Sequence, residues 1–155
     1  MVETSAATVD RDFAVVIDDD DKIRQFLEAT LTRLGMKVAT FRTAGEALAA
    51  TDRGRPGVIF LDVALLQSDA IDVLRGLGKR RYGGVVQLMS GGRPALLDAV
   101  KRIGVRHGIR LATPLHKPLA RETIAQSIEG LRDQVDPVAS AEASAPPPAS
   151  ERSSA

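Results

Sequence analysis

The chain has 155 residues, 44% of them hydrophobic, with a formal net charge of +1; that is enough for one domain with its own core, and gives no global pull toward nucleic acid or a membrane surface. Cysteine is absent, which excludes disulfides and thiolate metal sites, and aromatic residues amount to 3%, too few for a base-stacking platform. No run approaches the roughly 20 apolar residues of a membrane span, and the first eight residues lack the apolar core of a signal peptide, so a soluble, cytoplasmic protein is expected.

Residues 1–11 read as a short polar leader. The first apolar run, Phe13-Ala14-Val15-Val16-Ile17, has the continuous hydrophobicity of a parallel strand buried on both faces. Four aspartates follow it, Asp18, Asp19, Asp20 and Asp21. Alone they read as a solvated acidic turn capping the next helix. At the carboxyl end of a buried strand they also form an oxygen-lined site suited to Mg²⁺ or Ca²⁺. Ile23, Phe26, Leu27, Leu31 and Leu34 then share one helical face, and Gly35 is a natural stop.

A second strand is expected over residues 36–41. Thr43-Ala44-Gly45-Glu46 is a capping box opening a short Ala/Leu helix. The run at 58–61 is the third strand, ending in Asp62. Ser68 is placed to cap a third helix carrying Ile71, Leu74 and Leu77. Residues 85–89 form the fourth strand, ending in Ser90 and followed by Gly91-Gly92. Pro94 suits the first turn of a fourth helix, with Leu96, Leu97, Val100 and Ile103 facing inward. A weaker fifth strand at 108–114 leads to Lys117-Pro118, and Ile124, Ile128 and Leu131 face inward on a fifth helix. From 135 to 155 the chain is rich in Pro, Ala and Ser, a composition expected to be disordered. The folded part is thus 12–134.

Five strand–helix units in strict alternation imply an α/β fold with a doubly wound parallel sheet. Right-handed crossovers leave the flavodoxin-like strand order 2-1-3-4-5 as the common five-stranded arrangement. Ligands in such sheets gather at the carboxyl ends of the strands. That rule collects Asp18, Asp19, Asp62, Ser90 and Lys117 at one edge. Three carboxylates attract a divalent cation; the cation and a lysine together neutralise a phosphoryl group. A carboxylate between them is a covalent nucleophile of the aspartyl-phosphate kind.

With these residues in place, the chain resembles the receiver domain of two-component response regulators, from about Phe13 to Leu131. Val15-Val16-Ile17-Asp18-Asp19-Asp20-Asp21-Lys22-Ile23-Arg24 is similar to the receiver opening, and Ile59-Phe60-Leu61-Asp62 to the phosphoacceptor segment. The resemblance implies that Asp62 is phosphorylated, that Asp18 and Asp19 with Asp62 and the Ala64 carbonyl hold Mg²⁺, and that Ser90 and Lys117 bind the phosphoryl oxygens. It also implies a cis Lys117-Pro118 bond. The expected partner is a sensor histidine kinase or a histidine phosphotransfer domain, with self-phosphorylation from small acyl phosphates as a side activity. A homodimer is admitted; nucleic acid is not contacted directly and no membrane is involved. The expected type is a stand-alone, single-domain regulator acting through protein–protein contacts.

Two departures from the family pattern stand out. The Pro-Gly usual after the phosphoacceptor is missing from Val63-Ala64-Leu65-Leu66. Three residues before Lys117, where receivers carry Tyr or Phe, this chain has Pro114. The second departure leaves a phosphorylation-independent adaptor as the alternative. A metal-dependent aspartyl-phosphate phosphatase fits less well, because its second acid would fall at Ala64. The basic residues around Arg75–Arg81 and Lys101–Arg110 are read as a solvated rim, and His107 and His116 as surface histidines rather than a zinc site.

Overall fold

The computed structural model describes residues 8–65 and 69–134. The leader's first seven residues, the Ser68 cap and the 135–155 tail lie outside the described residues. Strand β1 covers Asp10–Ile17 and helix α1 Asp21–Arg33. They are followed by β2 (Lys37–Phe41), α2 (Ala44–Thr51), β3 (Pro56–Asp62) and α3 (Asp69–Lys79). Then come β4 (Val85–Ser90), α4 (Pro94–Arg106), two short strands β5 (Arg110–Leu111) and β6 (Leu115–His116), and α5 (Arg121–Gln134).

The sheet is parallel throughout, in the order β2-β1-β3-β4-β5, with β6 also paired to β4. This is the flavodoxin-like order read from the alternation of elements. β3 and β4 are buried along their whole length, which explains why they read as unbroken apolar runs. Packed helices cover the sheet: α1 touches α5, while α2, α3 and α4 follow one another in contact.

The helix faces follow the apolar spacing. Leu27 and Leu31 of α1, Leu97 and Val100 of α4, and Ile124, Ile128 and Leu131 of α5 are all buried. In α3 Leu74 and Leu77 are buried as expected, but Val73 and Ala70 join them while Ile71 is only half-buried. Thr43 caps α2 reciprocally with Glu46: the Glu46 amide donates to the Thr43 hydroxyl at 3.4 Å, and that hydroxyl donates to Oε1 of Glu46 at 3.3 Å. Gly35 ends α1 at φ 86°, a left-handed conformation that favours glycine.

Two stretches differ from the sequence reading. β1 begins at Asp10, three residues before the apolar run, and Val9 is already in the core. The reason is backbone pairing: the Asp10 amide donates to the Arg55 carbonyl at 2.9 Å, and Asp10 is in register with Pro56. The fifth strand is not one piece over 108–114 but the two pieces β5 and β6, separated by Ala112-Thr113-Pro114. Pro114 brings no amide hydrogen to a ladder.

Candidate functional site

The four aspartates have four different environments. Asp18 is fully buried, and its Oδ1 accepts from the Asp20 amide at 2.9 Å. Asp19 is half-buried beside it. Asp20 caps α1, its Oδ1 accepting from the amides of Lys22 at 2.8 Å and Ile23 at 3.3 Å. Asp21 sits in the first turn of α1, in an ion pair with Arg24 and another with Arg42 at 3.7 Å. The acidic turn and the oxygen-lined site, alternative readings of the same run, are thus both present: Asp20 and Asp21 make the turn, Asp18 and Asp19 the site.

Asp62 at the end of β3 is buried, and its Oδ1 accepts from the Ala64 amide at 3.2 Å. Carboxylate oxygens of Asp18, Asp19 and Asp62 lie within 4.8 Å of one another. Lys117, on the segment after β6, joins the cluster. Its Nζ donates to Asp18 Oδ2 at 3.0 Å and lies 3.5 Å from Asp62 Oδ1. The Lys117 amide donates to the Ser90 carbonyl at 2.8 Å, so the lysine is fixed to the end of β4. Ser90 itself is buried there, ahead of Gly91 and Gly92; Gly91 has open space where a side chain would be, and Gly92 is at φ 99°. The Lys117-Pro118 bond is cis. Asp18, Asp19, Asp62 and Lys117 therefore meet at one edge, Ser90 ends the neighbouring strand there, and Ala64 beside Asp62 is exposed.

Electrostatically the cluster is frustrated without a cation. Burial pushes the Asp18 carboxyl above its ordinary value, and the charge of Asp62 adds to that, against the lowering effect of the Asp20 amide and Lys117. Burial alone would pull the Lys117 ammonium down, but its hydrogen bond to Asp18 and the charges of Asp18 and Asp62 outweigh this and raise it. Three carboxylates around one lysine leave negative charge in excess. An all-oxygen donor set of this kind fits a hard divalent ion such as Mg²⁺.

Two residues of the site were not singled out by the sequence. Arg24 donates from its guanidinium to the Asp18 carbonyl at 2.7 Å while pairing with Asp21, so it braces both ends of the acidic turn. Gln87 is a buried amide in the middle of β4; the visible signal was one polar residue inside an otherwise apolar run. Of the basic rim, Lys101, Arg102 and Arg106 are exposed on α4. Arg80 instead holds both carboxylate oxygens of Asp52, at 2.7 and 3.1 Å.

Comparison with known proteins identifies the family and the fold. The family model for the response regulator receiver domain matches residues 14–129. The C4-dicarboxylate transport transcriptional regulatory protein DctD of Pseudomonas aeruginosa is 32% identical over 161 aligned positions, covering 83% of this chain and 35% of that protein. The transcriptional regulatory protein AfsQ1 of Streptomyces coelicolor is 43% identical over 61 residues, 39% of this chain and 27% of that protein. The chain thus spans about a third or less of the length of these curated relatives. Among solved structures, a response regulator from Colwellia psychrerythraea superposes with a TM-score of 0.68 at 19% identity, covering 81% of this chain and all of that one. Chemotaxis protein CheY4 of Vibrio cholerae superposes at 0.67 with 22% identity, over 81% of this chain and 99% of its own. The chain belongs to the response regulator receiver family of two-component systems, a family of signalling phosphoacceptors in which Mg²⁺ binding is typical.

Proposed function

We propose that the chain accepts a phosphoryl group on Asp62 from a phosphohistidine of a sensor histidine kinase or phosphotransfer domain. The observation that carries this is the meeting of Asp18, Asp19 and Asp62 within 4.8 Å with Lys117 already hydrogen-bonded into the cluster. In the step itself an Asp62 carboxylate oxygen attacks phosphorus in line. The new O–P bond forms as the P–N bond of phosphohistidine breaks, and the imidazole leaves with the electron pair and takes up a proton. Asp18, Asp19, Asp62 and the Ala64 carbonyl would hold Mg²⁺, which supplies charge neutralisation to the phosphoryl oxygens. Lys117 keeps a fixed positive charge beside Asp62, so it binds an oxygen of the incoming group. Ser90 offers a hydroxyl to another, and the side-chain-free Gly91 leaves space for it.

The phosphatase alternative is disfavoured by Ala64, which has no carboxyl to act as a second acid. Signal output is proposed to run through protein–protein contacts. The curated relatives carry names of transcriptional regulators, including the DNA-binding transcriptional regulator NtrC of Klebsiella pneumoniae. Direct contact of this domain with nucleic acid is not part of the proposal.

The test is uptake from acetyl phosphate with Mg²⁺, followed by intact mass and peptide mapping. A single acyl phosphate on Asp62 is expected in the wild type and none in Asp62→Asn, because an amide is not a competent nucleophile. An adduct mapped to another residue, or retained in Asp62→Asn, would remove this assignment.

A further inference from the structure

The two halves of the fifth strand are not in phase with each other. β5 pairs Val85 with Arg110 and Val86 with Leu111. β6 pairs Met89 with Leu115 and Ser90 with His116. From Val86 to Met89 is three steps and from Leu111 to Leu115 is four, so strand five carries one extra residue. This is a β-bulge, located at Ala112-Thr113-Pro114.

The bulge decides where Lys117 goes. Had strand five kept the phase of β5, Ser90 would face Leu115 instead of His116. Every later residue would move by one position, roughly 3.3 Å along the strand, and each side chain would turn to the other face of the sheet. The Lys117 amide would lose the Ser90 carbonyl, and its ammonium would leave Asp18 and Asp62.

Gln87 lies opposite the bulge. Its Nε2 donates to the Thr113 carbonyl at 2.5 Å, and its Oε1 accepts from the Ser127 hydroxyl of α5 at 2.7 Å. Ala112 packs against the core and its amide donates to the Val86 carbonyl at 3.0 Å, whereas Thr113 is exposed. The bulge borders an open cleft of about 360 Å³ between strand five and α5, lined by Gln87, Thr113, Pro114, Ser127 and others. An apolar residue at 87 would fit a strand buried on both faces, so a glutamine there requires partners. It finds them on the bulge and on the helix behind it.

We propose that Gln87 is a positioning residue for Lys117: its side-chain amide holds the extra residue in strand five, and that residue sets the phase that brings Lys117 to Asp18 and Asp62. The kinetic part of the test rests on the phosphoacceptor reading; the structural part does not. Gln87→Met keeps length and volume while removing the bonds to Thr113 and Ser127, together with a longer one from Nε2 to the Leu88 carbonyl at 3.4 Å.

In the folded variant, phosphoryl uptake from acetyl phosphate should slow by about tenfold or more, since displacement of a catalytic group by an ångström has effects of that order. Mg²⁺ affinity, measured by calorimetry, should not fall, because Asp18 and Asp19 follow β1 and Asp62 ends β3, and departure of the Lys117 ammonium removes a positive charge that competes with the cation. Exchange of the Lys117 amide hydrogen should quicken while that of β1 amides does not. Unchanged uptake with unchanged Lys117 exchange overturns the proposal, as does parallel loss of uptake and Mg²⁺ affinity, which would mean general damage. Gln87→Leu replaces the first variant if it does not fold. If neither folds, Gln87 is a determinant of the core and the positioning role is overturned. A wild type that takes up no phosphoryl group overturns the phosphoacceptor reading instead, and the Lys117 exchange arm still decides on Gln87.

Discussion

Asp18 is a carboxylate whose ionisation folding opposes. Its side chain is fully buried, and burial raises its pKa above the ordinary 3.8. A carboxyl with a raised native pKa favours the folded state while protonated; that contribution is complete below the unfolded pKa and is lost as pH rises through the native one. At neutral pH the metal-free protein therefore carries a destabilising charge at this position. Asp18→Asn removes it, and the metal-free melting temperature at pH 7 should rise by about 2–4 °C. The gap should close as pH falls toward 4. Melting curves of the two proteins without Mg²⁺, across that range, check the sign; a variant less stable than wild type at pH 7 would show that the Lys117 ion pair outweighs burial. The same residue shows what the sequence could reveal. That Asp18 and Asp19 follow β1 at the site edge was visible; that Asp18 is the fully buried one was not, because it depends on the Asp20 amide and Lys117, the latter 99 residues away.

The elements were legible where local chemistry is strong. The Thr43–Glu46 capping box, the Gly35 stop and the apolar faces of α1, α4 and α5 each follow from a few adjacent residues. The break in strand five was not legible, because it depends on partners in β4 and α5. Nor was the start of β1 at Asp10, where polar residues join the sheet through their backbone alone. The connection before β4 gives a prediction at this scale. Tyr82 is buried, and its hydroxyl donates to the Pro56 carbonyl at 2.6 Å, tying the loop after α3 to the start of β3. Tyr82→Phe removes the donor and leaves a carbonyl without its partner, which should cost about 1–2 kcal/mol. Chemical denaturation measures it, and phosphoryl uptake should be unaffected, since Tyr82 lies near the amino-terminal ends of the strands.

At the scale of the molecule the sheet topology does most of the work. It places the ends of β1, β3, β4 and β6 side by side, and that rule alone brought Asp18, Asp19, Asp62, Ser90 and Lys117 together from sequence positions far apart. The resulting excess of negative charge makes a prediction for the whole fold. Mg²⁺ should stabilise the native state by mass action, by about 2–3 kcal/mol at a hundredfold excess over its dissociation constant. The melting temperature should rise accordingly, and Asp19→Ala should reduce that rise. A melting curve indifferent to millimolar Mg²⁺ would contradict a metal site formed by these carboxylates.

The interrupted fifth strand has one more consequence, at the boundary of the molecule. A continuous row of unpaired backbone groups on an outer strand is a template for recruiting further strands and so for ordered aggregation. Here the outer strand on one side is cut into two pieces of two residues, and the segment between them includes Pro114, which has no amide hydrogen to offer. The outer strand on the other side, β2, is five residues long and starts with Lys37. The sheet is thus open in topology but a poor seed for growth at either side, and the bulge that sets the position of a lysine also blunts an edge against amyloid-like stacking.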